Sequence, residues 1–263
     1  MIDPAAAAGA DPAKLDWPTL RGLARSLAIY YGVPGRGFRL RRFYRQFLKP
    51  GDIYFDIGAH VGHRLRAARS TGATVVGVEP QPACFRLLTR LYGRDAAITL
   101  VQAAIGAEVG ELTLRISSAT PTVTTVNADW MEIVSRDPGF AAVDWDRTVT
   151  VPATTLDALI ARHGTPTFCK IDVEGHEPAV LAGLSTPIPY VSVEALPAAP
   201  GSAIDCMHRL SALGAYDFNL MRGESPELAF ADWCGAGKMA ERLGRETRSG
   251  DIIARLNGVS AES

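Results

Sequence analysis

From Gly51 to Pro80 the chain runs through GDIYFDIGAHVG to VVGVEP, and this order of strand, glycine turn and second strand closed by an acid admits few folds. Ile53, Tyr54, Phe55 and Ile57 form the short apolar run of a strand buried on both faces. Gly58-Ala59-His60-Val61-Gly62 follows as a strand-to-helix turn. Gly58 can take backbone angles closed to other residues, Gly62 lets a helix begin close to a ligand, and the N–H groups of such a turn are expected to be free. Thr74 to Val78 is the second strand and ends in Glu79-Pro80. A carboxylate roughly 20 residues beyond a glycine turn accepts hydrogen bonds from two ribose hydroxyls in dinucleotide-binding βαβ units. The segment therefore predicts an α/β fold that binds a nucleoside cofactor.

The glycine spacing narrows the cofactor. A dinucleotide turn takes G-x-G-x-x-G, whose middle glycine admits a pyrophosphate, but here Asp56 stands at the first glycine and only Gly58 and Gly62 follow. An acid at the strand end instead suits a cofactor with a cationic amino-acid group, which S-adenosylmethionine carries and NAD lacks. Balanced charge, 27 basic against 28 acidic residues, gives no global pull toward nucleic acid or an anionic membrane. Cys84, Cys169, Cys206 and Cys234 form no C-x-x-C pair and read as small core residues of a protein in a reducing compartment. No stretch approaches the roughly 18 uninterrupted apolar residues of a membrane span, and the alanine-rich start lacks a basic segment before it. A cytoplasmic protein with no membrane partner is the expectation.

Residues 1–13, mostly Ala, Pro, Gly and Asp, offer too few packing side chains and read as a disordered lead-in. Residues 14–50 read as a helical extension. Leu20, Leu23, Leu27 and Tyr30 mark a first helix from Trp17 to Tyr31. In a second, Leu40, Phe43, Tyr44, Phe47 and Leu48 share one face, with Arg41, Arg42, Arg45 and Lys49 mostly on the other. Those arginines read as a solvated face, or as a lip that attracts an anionic substrate or nucleic acid. Residues 51–258 form the cofactor-binding domain. Pro82 opens a helix with a stripe of Cys84, Leu87, Leu88 and Leu91, and Ile98 to Val101 is the third strand. Gln102 and Ala103, at its end, are where an adenine ring is expected.

Alternation then breaks. Glu111 to Ile116 is an added antiparallel strand, and Ser117 to Asn127 has the composition of a surface loop, one able to cover the crevice or hold a substrate. Thr154 or Thr155 caps a helix, and Thr167 to Asp172 is the fourth parallel strand. Asp172, Glu174, His176 and Glu177 crowd the turn that follows, which opens on the same crevice as the first. Glu177 reads as an acid stabilising the helix N-terminus. Pro189 to Glu194, Asp217 to Leu220 and Asp251 to Leu256 are the last strands, while the segment around Trp233 carries no assignable pattern.

KPGDIYFDIGAHVG, VVGVEP, TLDALI and above all KIDVEGHEPAVLAGL resemble the FkbM family of S-adenosylmethionine-dependent methyltransferases, over roughly Lys49 to Glu194. The resemblance implies a class I methyltransferase (Rossmann-like) α/β fold. Its seven-stranded, mostly parallel sheet carries helices on both faces, here with N-terminal helices added. It also implies methyl transfer to hydroxyls of sugars or natural products. By position, Asp56, Gly58, Ala59 and Gly62 match the cofactor loop, Glu79-Pro80 the ribose acid, and Asp172 with Glu174 the fourth-strand motif. His60 stands where the family usually has asparagine, and is expected to take over its hydrogen bond. The cofactor set is thus Asp56, Gly58, Ala59, His60, Gly62, Glu79, Pro80, Gln102, Ala103 and Asp172.

Methyl transfer to an alcohol needs the acceptor oxygen held in line with the methyl carbon and, as a proton leaves, a nearby base. Asp172 is the first candidate, His176 the second by its intrinsic pKa, with Glu174 beside them. No metal site is expected at His60 and His63, where a cofactor turn leaves little room for further ligands. Two other readings compete: a NAD-dependent oxidoreductase, and a catalytically inactive cofactor-binding protein that docks a partner or nucleic acid through its basic N-terminal helix. The acceptor and the oligomeric state have no legible code.

Overall fold

The computed structural model describes residues 16–137, 140 and 143–258, so the lead-in expected over residues 1–13 lies outside the described residues. Along the chain the strands are β1 (Ile53–Ile57), β2 (Thr74–Val78), β3 (Ile98–Val101), β4 (Ala104–Ile105), β5 (Gly110–Ile116), β6 (Arg147–Thr154), β7 (Phe168–Ile171), β8 (Tyr190–Ala195), β9 (Tyr216–Arg222) and β10 (Gly250–Leu256). The helices are α1 (Trp17–Tyr31), α2 (Arg36–Tyr44), α3 (His63–Arg69), α4 (Pro82–Tyr92), α5 (Ala128–Val134), α6 (Leu156–His163), α7 (Glu177–Ala182), α8 (Pro200–Leu213) and α9 (Ala236–Leu243). None of them is long and apolar enough to cross a membrane.

The main sheet has seven strands in the order β3-β2-β1-β7-β8-β10-β9. Its pairs are parallel except that β10 runs antiparallel to both β8 and β9. The chain moves outward from β1 to β3 and returns to place β7 beside β1, which makes the β1–β7 boundary the topological switch point where ligands bind in such sheets. This is the doubly wound class I methyltransferase arrangement that the resemblance implies.

Successive β1 residues point to opposite faces, and the core divides accordingly. Tyr54 packs with Phe43 and Tyr44 of α2, Leu65 of α3 and Leu88 of α4. Phe55 and Ile57 pack on the other face with Leu156 of α6, Leu181 of α7, Met207 of α8 and Met239 of α9. The four cysteines are buried free thiols, as expected. β4, β6 and β5 form a separate three-stranded sheet in which β5 and β6 are antiparallel, so the added strand builds its own layer instead of extending the main sheet. Thr155 caps α6 by accepting from the Ala158 N–H.

Three features depart from the helical patterns and loop readings. Leu20 is exposed, and α1 buries Thr19, Gly22, Leu23 and Ser26 instead. The cause is a close approach: a Cβ on Gly22 would collide with Pro121, so α1 packs through small residues against the loop 117–127. Leu91 is likewise exposed at the end of α4. The unassigned segment before β10 folds along the sheet edge. There Cys234 pairs with Phe218 and Leu228 with Met221 as isolated bridges, and the Arg255 guanidinium lies 4.4 Å from the centre of the Trp233 ring.

Gly58 has φ 83°, and a Cβ there would run into the carbonyl oxygen of Asp172. Gly58→Ala should therefore destabilise the protein by at least about 2 kcal/mol, the cost of a left-handed alanine plus separation of the β1 and β7 turns. Chemical denaturation measures this, and an unchanged midpoint would show that the turns separate freely.

Candidate functional site

The ends of β1, β2, β7 and β8 open on one crevice. Asp56, Gly58, Ala59, His60, Glu79, Pro80, Ala103, Asp172, Glu174 and His176, from the sites predicted above, all line it. Gln102 does not: it is exposed at the end of β3, while Ala103 turns inward. Gly62 also lies off the wall, and its missing side chain is explained by packing, since a Cβ there would meet Tyr92 and Leu88 of α4. Gly62 thus admits a neighbouring helix, not a ligand.

The turn after β1 has few free donors. The Gly58 and Ala59 N–H groups both donate to the Val78 carbonyl at 3.0 Å, Gly62 N–H donates to Ala59, and His60 N–H donates to Glu79 Oε2 at 2.7 Å. The expectation of open N–H groups fails because β2 ends close enough to use them. Glu79 Oε1 accepts from the Gln81 N–H at 2.8 Å, so the turn and the acid are locked together. Burial pushes the Glu79 pKa up to about 7 against these two bonds, and pushes Asp56 up to about 6 despite Arg64 and Lys170. Among the described residues Asp56 Oδ2 is buried without a hydrogen-bond partner. His60 holds a left-handed backbone (φ 47°), its Nε2 is also without a partner, and burial lowers its pKa to about 4.

The fourth-strand turn is organised by a lysine that the sequence reading passed over. Lys170 is 1% exposed within β7 and donates to Asp172 Oδ2 at 3.2 Å and Asp251 Oδ1 at 2.8 Å. Asp251 also faces Arg64 of α3 at 3.1 Å, giving a buried chain of alternating charge from α3 through β10 to β7. Burial acts to lower the Lys170 pKa, but Asp172 and Asp251 outweigh it and hold the ammonium above its ordinary value. Burial acts to raise Asp172, and Lys170 with Arg64 reverses that, so its carboxyl sits below the usual range. The Asp172 side chain keeps 34% exposure into the crevice.

Beyond Asp172 the turn is held from both sides. Glu177, expected to stabilise the helix N-terminus, sits in the first turn of α7 but spends its Oε1 on the preceding turn, accepting from the Val173 N–H at 3.0 Å and the Gly175 N–H at 3.3 Å. Glu174 has φ 52°, and its carbonyl accepts from Thr125 Oγ1 at 2.6 Å. Asn127 Nδ2 donates to the Gly175 carbonyl at 2.7 Å. The hydroxyl-rich loop is therefore a strap across the crevice, which it lines with Pro121, Thr122, Thr124, Thr125 and Val126. His176 lines the crevice too, but its Nε2 is buried 3.6 Å from where a Gly106 Cβ would lie, turned toward the small sheet. Burial lowers its pKa and keeps the imidazole neutral at pH 7.

Carboxylate oxygens of Asp172, Glu174 and Glu194 come within 4.8 Å of one another, a spacing a divalent cation can bridge and one that exposed acids also show without any ion. Burial together with neighbouring acids raises the pKa values of Glu174 and Glu194. The sequence reading also missed Tyr30 of α1, which stacks on His63 at 4.2 Å and closes one side of the crevice with Glu224. A lysine inside an apolar strand was the one visible signal for Lys170. Asp172 stands two positions on, but its other partner, Asp251, is 81 positions away, beyond the reach of local pattern.

Removing one member of such a network leaves buried charge uncompensated. Asp251→Ala should cost about 3–5 kcal/mol of stability in urea unfolding. A loss under about 1 kcal/mol would mean that water, not Asp251, solvates Lys170 and Arg64.

No curated protein sequence matches this chain. Among solved structures it is similar to the O-methyltransferase from Bacillus cereus in complex with SAH, at 12% identity, 95% and 93% coverage of this chain and of that one, and TM-score 0.44. It is also similar to precorrin-6y C5,15-methyltransferase from Geobacter metallireducens GS-15, at 11% identity, 84% and 87% coverage and TM-score 0.41. The family model described as the methyltransferase FkbM domain matches residues 56–204, from the acid at the end of β1 into α8. The chain therefore belongs to the FkbM methyltransferase family, whose cofactor is S-adenosylmethionine.

Proposed function

We propose that this methyltransferase transfers its methyl group to a hydroxyl of a sugar or another natural-product small molecule, with Asp172 as the residue that orients the acceptor and takes its proton. The observation that carries the reading is the state of Asp172. It is ionised, braced by Lys170 on one oxygen, and open to the crevice.

The crevice fits the cofactor. Asp56 Oδ2, buried and unpartnered, offers a carboxylate to the cationic amino group, and the His60 Nε2 is a second polar atom without a protein partner. Glu79 uses one bond on each oxygen, which leaves accepting capacity for two ribose hydroxyls. Ala103 supplies an apolar wall for the adenine. Bound there, S-adenosylmethionine supplies an activated methyl group on a sulfonium.

The remaining chemistry belongs to the chain. Among the described residues Asp172 Oδ1 accepts no hydrogen bond, so it can accept one from the acceptor hydroxyl, orient that oxygen and take its proton as the methyl carbon's bond to sulfur gives way to the bond to oxygen. Lys170 and Arg64 hold its carboxyl below the usual range, which keeps it ionised but makes it a weak base, so its larger contribution is to orient the acceptor oxygen, with Lys170 bonded to its other oxygen. In this reading the strap, which lines the crevice with Thr122 and Thr124, shields the reacting atoms from water. His176, with one nitrogen turned to the small sheet, and Glu174, whose pKa burial and the neighbouring Asp172 and Glu177 push up, are secondary candidates. The oxidoreductase reading falls with the family assignment, and the turn's occupied N–H groups agree with that outcome. A catalytically inactive binding protein differs only in showing no turnover.

Asp172→Asn should leave S-adenosylhomocysteine affinity within about threefold and lower methylation of a panel of sugar and natural-product alcohols by roughly 100- to 10,000-fold. Full activity in that variant would remove Asp172 from the chemistry. No turnover by the unsubstituted protein on amine, carbon or alcohol acceptors would favour the inactive reading.

Cofactor binding should also depend on pH. In the free protein Asp56 and Glu79 carry protons below about pH 6 and about pH 7, above their ordinary values, and those protons must leave before the carboxylates engage the amino group and the ribose. Affinity for S-adenosylhomocysteine should therefore rise with pH between about 5 and 7, by up to about tenfold per unit per proton, and level off above. Calorimetry that returned a flat profile would show both acids already ionised.

A further inference from the structure

We propose that the outward face of α1 and the start of α2 form a docking surface for an anionic lipid bilayer. Residues 16–49 hold seven arginines and one lysine against a single acid, Asp16, in a chain whose total charge is nearly balanced. The same stretch carries an unusual concentration of exposed apolar side chains. Trp17 is 70% exposed and Phe38 71%, with Leu20, Ile29 and Val33 also among the large hydrophobics open to solvent.

The two features are interleaved. On α1, Trp17, Leu20, Ala24 and Ala28 recur at helical spacing on the exposed side, flanked by exposed Arg21 and Arg25. The core side of that helix is a separate stripe of Thr19, Gly22, Leu23 and Ser26. Past the turn at Val33, α2 exposes Phe38, Arg39 and Arg42 while burying Leu40, Phe43 and Tyr44. Among the described residues Arg21, Arg25, Arg39, Arg42 and Arg45 form no ion pair, so their charge is not spent inside the molecule.

A helix with an apolar stripe bordered by arginines and carrying tryptophan and phenylalanine lies in a lipid interface, the rings among the acyl boundary and the guanidinium groups at anionic headgroups. The alternatives fit less well. A second copy docked through the same face about a two-fold axis would bring arginines onto arginines. A nucleic acid would use the cations but has no place for Leu20, Ile29 and Val33. Because Tyr30 on the inner side of α1 lines the crevice, the helix that meets the bilayer is also a wall of the site.

The test uses the full chain in flotation with vesicles of phosphatidylglycerol and phosphatidylcholine in equal parts, and with phosphatidylcholine alone. Binding should be at least tenfold stronger to the anionic vesicles and should weaken with added salt. Trp17→Ser with Phe38→Ser should reduce it at least tenfold, with the melting temperature and S-adenosylhomocysteine affinity unchanged. Because both side chains are exposed, folding is not at stake, and Arg21→Gln with Arg25→Gln provides an independent variant expected to lose the preference for anionic lipid. Absence of flotation, or flotation indifferent to both variants, overturns the proposal. So does tight, steeply salt-dependent binding to an oligonucleotide that survives the aromatic substitutions, which assigns the face to nucleic acid. A dimer by light scattering that Phe38→Ser converts to monomer assigns it to a second copy.

Discussion

At the switch point of the sheet the turn after β1 and the turn after β7 touch where a side chain on Gly58 would otherwise stand. The Asp172 N–H donates to the Ile57 carbonyl at 3.0 Å, continuing the strand pairing past the strand ends. Because of that contact, the half of the crevice built by β1 and β2 and the half built by β7 and β8 share one backbone wall. Glu79 fastens the first half by accepting from His60, and Glu177 fastens the second by accepting from Val173. The crevice floor is therefore held by backbone contact between the turns and by a buried acid on each side, while Thr125 and Asn127 of the strap brace the turn after β7 from above.

Within that frame the acids divide into two classes. Asp172 and Asp251 lie against Lys170, and Arg64 extends the network to α3. Asp56, Glu79, Glu174 and Glu194 are pushed toward protonation chiefly by burial. A lysine in the middle of an apolar parallel strand costs desolvation that its ion pairs do little more than offset. What the arrangement provides is an acid of fixed charge and orientation beside acids whose charge state can follow the ligand, all on one crevice wall.

Much of this was legible before any coordinates. Of the parallel strands, β1, β2 and β7 announce themselves as apolar runs closed by a glycine or an acid, β3 as an apolar run alone, and all four fall where those runs predict. Asp56, Glu79 and Asp172 could be placed on one crevice because strand ends on the same side of a doubly wound sheet must converge. Other features were illegible for physical reasons. Gly58 and Gly62 signal positive φ in the sequence but not what presses against them, which proves to be a neighbouring turn and a helix. The hydroxyl-rich Ser117–Asn127 loop reads in the sequence as one able to cover the crevice, but what would fasten it there does not. Its role as a strap is created by Thr125 and Asn127 reaching carbonyls some 48 to 49 positions away. Leu20 satisfied a helical period yet faces outward, because Pro121 demanded a small-residue face that periodicity of hydrophobic residues does not register.

The short pairing of β4 with β6 has a further consequence. Ala104 lies beside Ala153 and Ile105 beside Thr154, so the excursion that carries β5, the strap and α5 leaves the domain and rejoins it at neighbouring points. Closing a segment whose ends already meet costs entropy that grows only with the logarithm of its length. The excursion thus behaves as a cassette seated in a socket. Replacing it with one of different length and lining would reshape the crevice wall opposite Asp172 while the main sheet stayed paired, at the loss of the bonds that Thr124, Thr125 and Asn127 make to Gln81 and the turn after β7.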